Sequence, residues 1–174
     1  MTLIINPITQ SQTISINSFG IGLNSLPNGS LESLMELKYA FEGWPSIPSN
    51  VSYGDVVVFN NIVPANVNPY GVELEKANTS TPGHANKTMM VFISHESGVL
   101  TLMHKGYIDF TTITESSLSS YAQGDGLYVN GSNIAISPPQ TTGSWVKSIG
   151  FCMPNMEGVY RIWFESDSTY FTIG

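Results

Sequence analysis

Two stretches of this chain, seventy positions apart, follow one plan: Tyr53-Gly54-Asp55-Val56-Val57-Val58-Phe59-Asn60-Asn61 and Gln123-Gly124-Asp125-Gly126-Leu127-Tyr128-Val129-Asn130-Gly131. Each reads as a turn, a strand and a hairpin turn. Gly54 and Gly124 suit the positive φ of a tight turn, and the Asp55 and Asp125 carboxylates are placed to accept backbone N–H groups there. Asn-Asn and Asn-Gly favour two-residue hairpins. A Pro-containing loop and a strand begun by small residues follow each stretch, at Tyr70-Gly71-Val72-Glu73-Leu74 and Ile149-Gly150-Phe151-Cys152-Met153. A duplicated β unit is the simplest account, with chance likeness of short β segments as the alternative.

The remaining segments keep the same rhythm. Strands are predicted over 89–94 and 98–103, joined by a turn at Glu96-Ser97-Gly98, then over 106–110, 145–149, 159–164 and 169–173. The Ser/Thr-rich stretch 111–120 reads as a loop or a short helical turn. Over residues 33–42 helix and strand compete. Ser33 and Glu36 fit a capping box, but Met35, Leu37, Tyr39 and Phe41 alternate with Glu36, Lys38, Ala40 and Glu42, and the strand is preferred. Short strands at spacings of about ten residues, with turn residues between them, make an all-β sandwich or barrel. Composition agrees: 16 glycines, 10 prolines and only 11% charged residues exclude a disordered chain and a helical bundle.

From residue 1 to residue 31 there is no Asp, Glu, Lys, Arg or His. A surface segment normally carries charge, so this arm is expected to lie against something. Thr13-Ile14-Ser15-Ile16-Asn17 alternates as an extended strand, and such a strand suits pairing with a sheet edge of another chain. The plainer alternative is a first strand of the domain's own sheet. The expected organisation is an arm over 1–31 and a β domain over 32–174. Ile14, Ile16 and Phe19 are the arm's candidate interface residues. Trp44, between Gly43 and Pro45, is the candidate exposed aromatic or interface anchor.

Six Lys+Arg against thirteen Asp+Glu give a formal charge of −7. No basic stripe exists for a phosphate backbone, so no nucleic-acid partner is expected. The sole cysteine, Cys152, reads as a buried thiol. The first residues lack the basic and unbroken apolar regions of a signal peptide, and no apolar run reaches the roughly 18 residues of a membrane span. Neither a secretory route nor a membrane partner is expected, and the Asn-x-Ser/Thr triplets carry no weight as glycosylation sites.

The chemistry search returns little. His84, His95 and His104 are scattered without metal-ligand spacing and read as surface or loop histidines. Asp55 and Asp125 could be mistaken for an acid–base pair, but the same residue in the same turn twice points to a turn-stabilising role. Ser144 has no nucleophile elbow around it, and no phosphate-cradling loop is present. No catalytic residue, cofactor or metal is expected. Trp44, Trp145, Trp163 and the eight tyrosines are the material for a glycan-stacking surface. Trp163 is read as alternating with Arg161 and Glu165, giving that strand an aromatic face and a charged one, with core packing preferred for the indole.

A family resemblance rests on ordered pieces: Gly54-Asp55-Val56-Val57-Val58-Phe59, Gly71-Val72 with Ala77, Gly106-Tyr107-Ile108-Asp109-Phe110 and Gly124-Asp125-Gly126-Leu127-Tyr128-Val129. Pro138-Pro139, Gly143-Ser144-Trp145-Val146-Lys147-Ser148-Ile149-Gly150 and the ending Arg161-Ile162-Trp163-Phe164-Glu165-Ser166-Asp167-Ser168-Thr169-Tyr170 continue it. In this order residues 51–174 resemble virion proteins of tailed bacteriophages, namely head-decoration (capsid cement) and fibre proteins built on small β-barrel or β-tulip-like domains. The first fifty residues lie outside the likeness. The resemblance implies a non-enzymatic structural protein of the virion, made in the host cytoplasm. It would multimerise, often as a trimer, on major capsid or tail proteins. A tail-fibre or receptor-binding module taking a host glycan is the alternative.

Overall fold

The computed structural model describes residues 13–17, 36–110, 122–153 and 160–174. Its strands are β1 (Thr13–Asn17), β2 (Glu36–Glu42), β3 (Val56–Ile62), β4 (Val72–Lys76), β5 (Met89–Glu96) and β6 (Val99–Phe110). They continue as β7 (Gly126–Asn130), β8 (Asn133–Ala135), β9 (Trp145–Val146), β10 (Ser148–Cys152), β11 (Tyr160–Glu165) and β12 (Phe171–Thr172), with one helical turn, α1 (Pro82–Ala85). The chain is all-β: ten strands form one strongly curled sheet of small-barrel type, and β9 and β12 form a separate ribbon.

The main path through the sheet runs β4-β3-β5-β6-β11-β10-β7-β8. This order reads alike from both ends. The outermost hairpin β3–β4 answers to β7–β8, β5 answers to β10, and β6 meets β11 at the midline through six paired positions from Tyr160↔Phe110 to Glu165↔Lys105. The sequence aligns residues 70–74 with 149–153, but the sheet sets β10 opposite β5 instead. The three-residue β8 leaves little pattern to see, so the strand after it is easily matched to the wrong partner.

Three local expectations are corrected. Residues 99–103 and 106–110 belong to one strand, β6, with Gly106 at φ 147 kept in register opposite Phe164, while Gly98 stays in the turn before it. The segment 145–149 is divided at Lys147 between β9 and β10. Asn60-Asn61 is not a hairpin turn. Asn61 takes φ 36 inside β3 at a register shift, and the chain reverses only after Ile62. The corresponding Asn130-Gly131 turns as expected, with Gly131 at φ 60 between Asn130 and its partner Asn133.

β2 is a strand, as its alternation requires. It lies antiparallel to β6 over Leu37↔Lys105 to Glu42↔Val99, so β2 and β11 follow one another along the same edge of β6. β1 adds to β2 within the chain, Ile14 facing Tyr39 and Ile16 facing Leu37 in register. Phe19 and residues 111–120 lie outside the described residues.

Two apolar clusters hold the sheet. Val56 and Val58 of β3, with Met89 and Val91 of β5, join the cluster inside the curl, which also takes Ile108, Leu127, Ile149 and Phe164. The intervening Val57, Met90 and Phe92 join a second cluster on the outer face, with Trp44, Leu74 and Leu102. β3 and β5 are therefore buried on both faces, which is why they read as unbroken apolar runs rather than alternations.

Candidate functional site

The two Gly-Asp turns share one hydrogen-bond plan. Gly54 and Gly124 take φ 87 and 89. The Asp55 carboxylate accepts the Ser52 N–H at 2.8 Å, and that of Asp125 accepts the Ala122 N–H at 2.7 Å. Gly54 N–H donates to Phe92 O and Phe92 N–H to Asp55 O; Gly124 and Cys152 repeat the exchange with Asp125. Asp55 also pairs with Lys76 at 2.9 Å. Both carboxylates thus close their own turns, and the paired backbone bonds hold those turns to the neighbouring strand.

Trp44 is a correction. Its side chain is only 2% exposed, so it is not available as a surface anchor. The ring stacks on Tyr70 at 5.5 Å and lies 5.6 Å from Phe59, while Phe41 meets it edge-on at 6.0 Å. Its backbone N–H donates to Gly98 O, and its carbonyl accepts from His95 Nε2 at 2.9 Å. Gly43 and Pro45 turn the chain so that the indole points back onto the sheet. Flanking turn residues signal a change of direction and say nothing about which way the side chain goes.

His84 is a second correction: it is buried, not a surface histidine. Its Nδ1 accepts the Asn78 N–H at 3.1 Å, so Nε2 carries the proton and donates to Glu75 Oε2 at 3.1 Å. Glu75 also accepts from Asn60 and Asn61. This network fixes the segment that closes the curl. There Thr79 N–H donates to Gly131 O at 2.8 Å, Gly131 N–H donates to Thr79 Oγ1 at 3.0 Å, and Trp145 N–H donates to Thr79 O. Trp145 Nε1 reaches the Asn78 and Thr81 carbonyls, and Lys147 Nζ, buried, donates to the carbonyls of Ala85 and Lys87. Buried polar side chains, each with partners, therefore join the sheet's two ends. Burial lowers the Lys147 pKa, against the pull of Asp167.

On the outer face of the midline, Arg161, Trp163 and Glu165 stand on one side of β11, as a two-residue period requires, and Ile162 and Phe164 point inward. The expected division into an aromatic and a charged face is overturned. Arg161 grips Asp109 with two bonds of 2.6 and 2.7 Å, Trp163 meets Tyr107 edge-on at 4.7 Å, and Glu165 accepts from Lys105 at 2.7 Å and from Trp163 Nε1 at 3.0 Å. Burial pushes the Glu165 pKa up, but the Lys105 and Trp163 hydrogen bonds and the Lys105 charge outweigh it and hold the carboxyl below its ordinary value.

Beside this ladder lie two adjoining depressions of about 480 and 220 Å³, which share Ser148 and Asp167. Phe151 opens onto the first and Phe171 and Tyr170 onto the second. Among the described residues no group of three or more potential metal ligands comes together, and no helix is long and apolar enough to cross a membrane.

No protein-family model, curated protein or solved structure matches the chain.

Tyr170 is among the tyrosines expected as stacking material, whereas Phe151 and Phe171 carry no such signal in the sequence. Phe151 looks like any apolar residue of a buried strand, since only the curl of the sheet decides which face of β10 is wet. The available signal is compositional: Glu165-Ser166-Asp167-Ser168-Thr169 is a run of oxygen-bearing side chains ending in Tyr170 and Phe171.

Proposed function

We propose that the chain is a non-enzymatic structural component of a bacteriophage virion, a decoration protein that multimerises on the particle surface. The observation that carries this reading is the attachment of β1. A strand from the uncharged arm is held to β2 by antiparallel backbone pairing, outside the main path of the sheet. Main-chain pairing of this kind works equally well within one chain or between copies, and exchange of a terminal strand is a low-cost route to an oligomer. Multiplied over a lattice, weak strand docking becomes firm through effective concentration. Supporting it, the Asp55 and Asp125 carboxylates are committed to turns, leaving the strongest acid–base candidates in structural work.

Sedimentation velocity on the full chain and on a chain beginning at Ser33 tests the assembly step. A defined oligomer that dissociates on truncation is expected, and a monomer in both cases overturns the arm's role. Mass spectrometry of particles purified from the phage or prophage that encodes the chain tests the location, and absence of the chain from those particles rejects it.

A tail-fibre or receptor-binding role is the second reading. The grouping of Phe151, Tyr170 and Phe171 around one pair of depressions favours it.

A further inference from the structure

Six large hydrophobic side chains stand out among the described residues as exposed, and three of them border the same trough: Phe151 at 42%, Tyr170 at 40% and Phe171 at 63%. Singly scattered rings on a surface need no explanation, but grouped ones do. The trough is the pair of depressions described above. Its lining is also polar: Ser148 and Asp167 belong to both depressions, and Glu165 lines the one that Phe151 borders.

The backbone keeps these groups in place. Phe151 projects from β10, which is paired to β11 at Trp163 and to β7 at Gly126. Phe171 is paired with Val146 of β9. Asp167 N–H donates to Ser148 O at 2.9 Å, and its carboxylate accepts the Thr169 N–H at 3.0 Å. That hydrogen bond, first among several to the carboxylate and aided by the Lys147 charge, holds the Asp167 carboxyl below its ordinary value. Gly150 contributes no side chain between Phe151 and Ser148.

We infer that this trough binds a short oligosaccharide that is uncharged or carries amines, its ring faces packing on Phe151 and on Tyr170 and Phe171 while its hydroxyls donate to Asp167. The apolar face of a hexose fits a flat aromatic ring, and its rim of hydroxyls needs the oxygen acceptors that an apolar protein surface would leave unmatched. The Asp167 carboxylate also sets the sign of the ligand, since Glu165 is already paired with Lys105. Uronates, sialic acids and phosphorylated sugars meet like charge at Asp167 and are disfavoured. The inference rests on the receptor-binding reading and gives that reading its ligand class; it does not depend on how the arm assembles.

The test is ligand-observed NMR and calorimetry on the full chain. The probes are a panel of neutral hexose and N-acetylhexosamine oligosaccharides and of hexosamine oligosaccharides with free amines, with uronate-containing oligosaccharides of the same length as contrast. Saturable binding of a neutral or amine-bearing probe is expected, with Phe151→Ala and Phe171→Ala each weakening it by about tenfold, a loss that reads as about 1.4 kcal/mol. Neither side chain belongs to the buried clusters, so circular dichroism should hold for each variant, with at most a small drop in the unfolding midpoint for the more buried Phe151. Asp167→Asn should bring uronate binding closer to that of the neutral probe. The inference is overturned if no neutral or amine-bearing probe binds, if uronates bind as well as neutral sugars to the unaltered chain, or if both ring variants bind normally. Loss of an oligomer in the ring variants, with no sugar bound by the parent chain, would assign the face to contact between copies instead. Failure of the Ser33 truncation experiment leaves these outcomes untouched, so the two readings fail separately.

Discussion

Thr79 and Gly131 exchange two hydrogen bonds across the gap between the ends of the sheet, one to the Gly131 carbonyl and one to the threonine hydroxyl. The backbone bond, donated by the Thr79 N–H, survives a change of side chain to any residue but proline, whereas the second needs Oγ1. Thr79→Val keeps the shape and removes that acceptor, leaving the Gly131 N–H without its partner. A loss of about 1–2 kcal/mol is expected in urea unfolding, and Thr79→Ser should recover most of it. Equal stability of the valine and serine variants would show that the hydroxyl contributes nothing to closure.

Gly150 has no room for a side chain. At φ 144, a Cβ there would land on the carbonyl oxygen of Trp163 on the adjacent strand. Gly150→Ala is expected to cost more than about 3 kcal/mol, since both the backbone conformation and the pairing of β10 with β11 must shift. Gly43→Ala provides the control. It carries the positive-φ penalty of about 1–2 kcal/mol with nothing within 4 Å of the added carbon. Thermal unfolding of the two variants should separate them clearly.

Glu165 ties acid stability to the midline ladder. Its pKa is depressed in the folded chain, so it contributes stability that is present above its unfolded pKa and is lost as pH falls through the folded value. Unfolding midpoints measured across the acid range should fall for the parent chain. Glu165→Gln should flatten that dependence while lowering the neutral-pH plateau. An unchanged acid limb in the variant would assign the loss to other carboxylates.

Cys152 should be chemically silent until the chain opens. It is buried, and burial, with the nearby Asp125 charge, pushes its thiol up to about 11. Near pH 8 almost no thiolate is present to react. Alkylation by iodoacetamide is expected to be negligible in the native chain and complete in denaturant. Rapid native labelling at pH 8 would contradict the packing of β10.

The all-β class and most strands are legible because two signals agree at nearly every element: turn residues at the ends and two-residue periodicity or apolar runs between them. β2 illustrates this, where Leu37, Tyr39 and Phe41 outweigh a capping pattern. What escapes reading depends on contacts distant in sequence. Nothing local to Asn60-Asn61 reveals that Glu73 and Glu75 will hold those amides and turn a hairpin signal into a bulge. Trp44 and His84 fail for the same reason, because burial of a loop side chain is decided by the strand it folds back upon. The trough is hidden more deeply, since its rings come from β10 and the chain's end and meet only after the sheet curls.

The two-sided burial of β3 and β5 has a consequence for how the chain breathes. Amides of Val57 and Met90 lie in strands paired on both edges and packed on both faces, so solvent reaches them only when the whole domain opens. Hydrogen exchange there should report the global unfolding free energy. Exchange at Phe171 and Thr172, on a two-residue ribbon with exposed side chains, should report only local fraying. The domain would thus keep a rigid frame in its curled sheet while leaving the β9–β12 ribbon free to adjust around whatever settles against it.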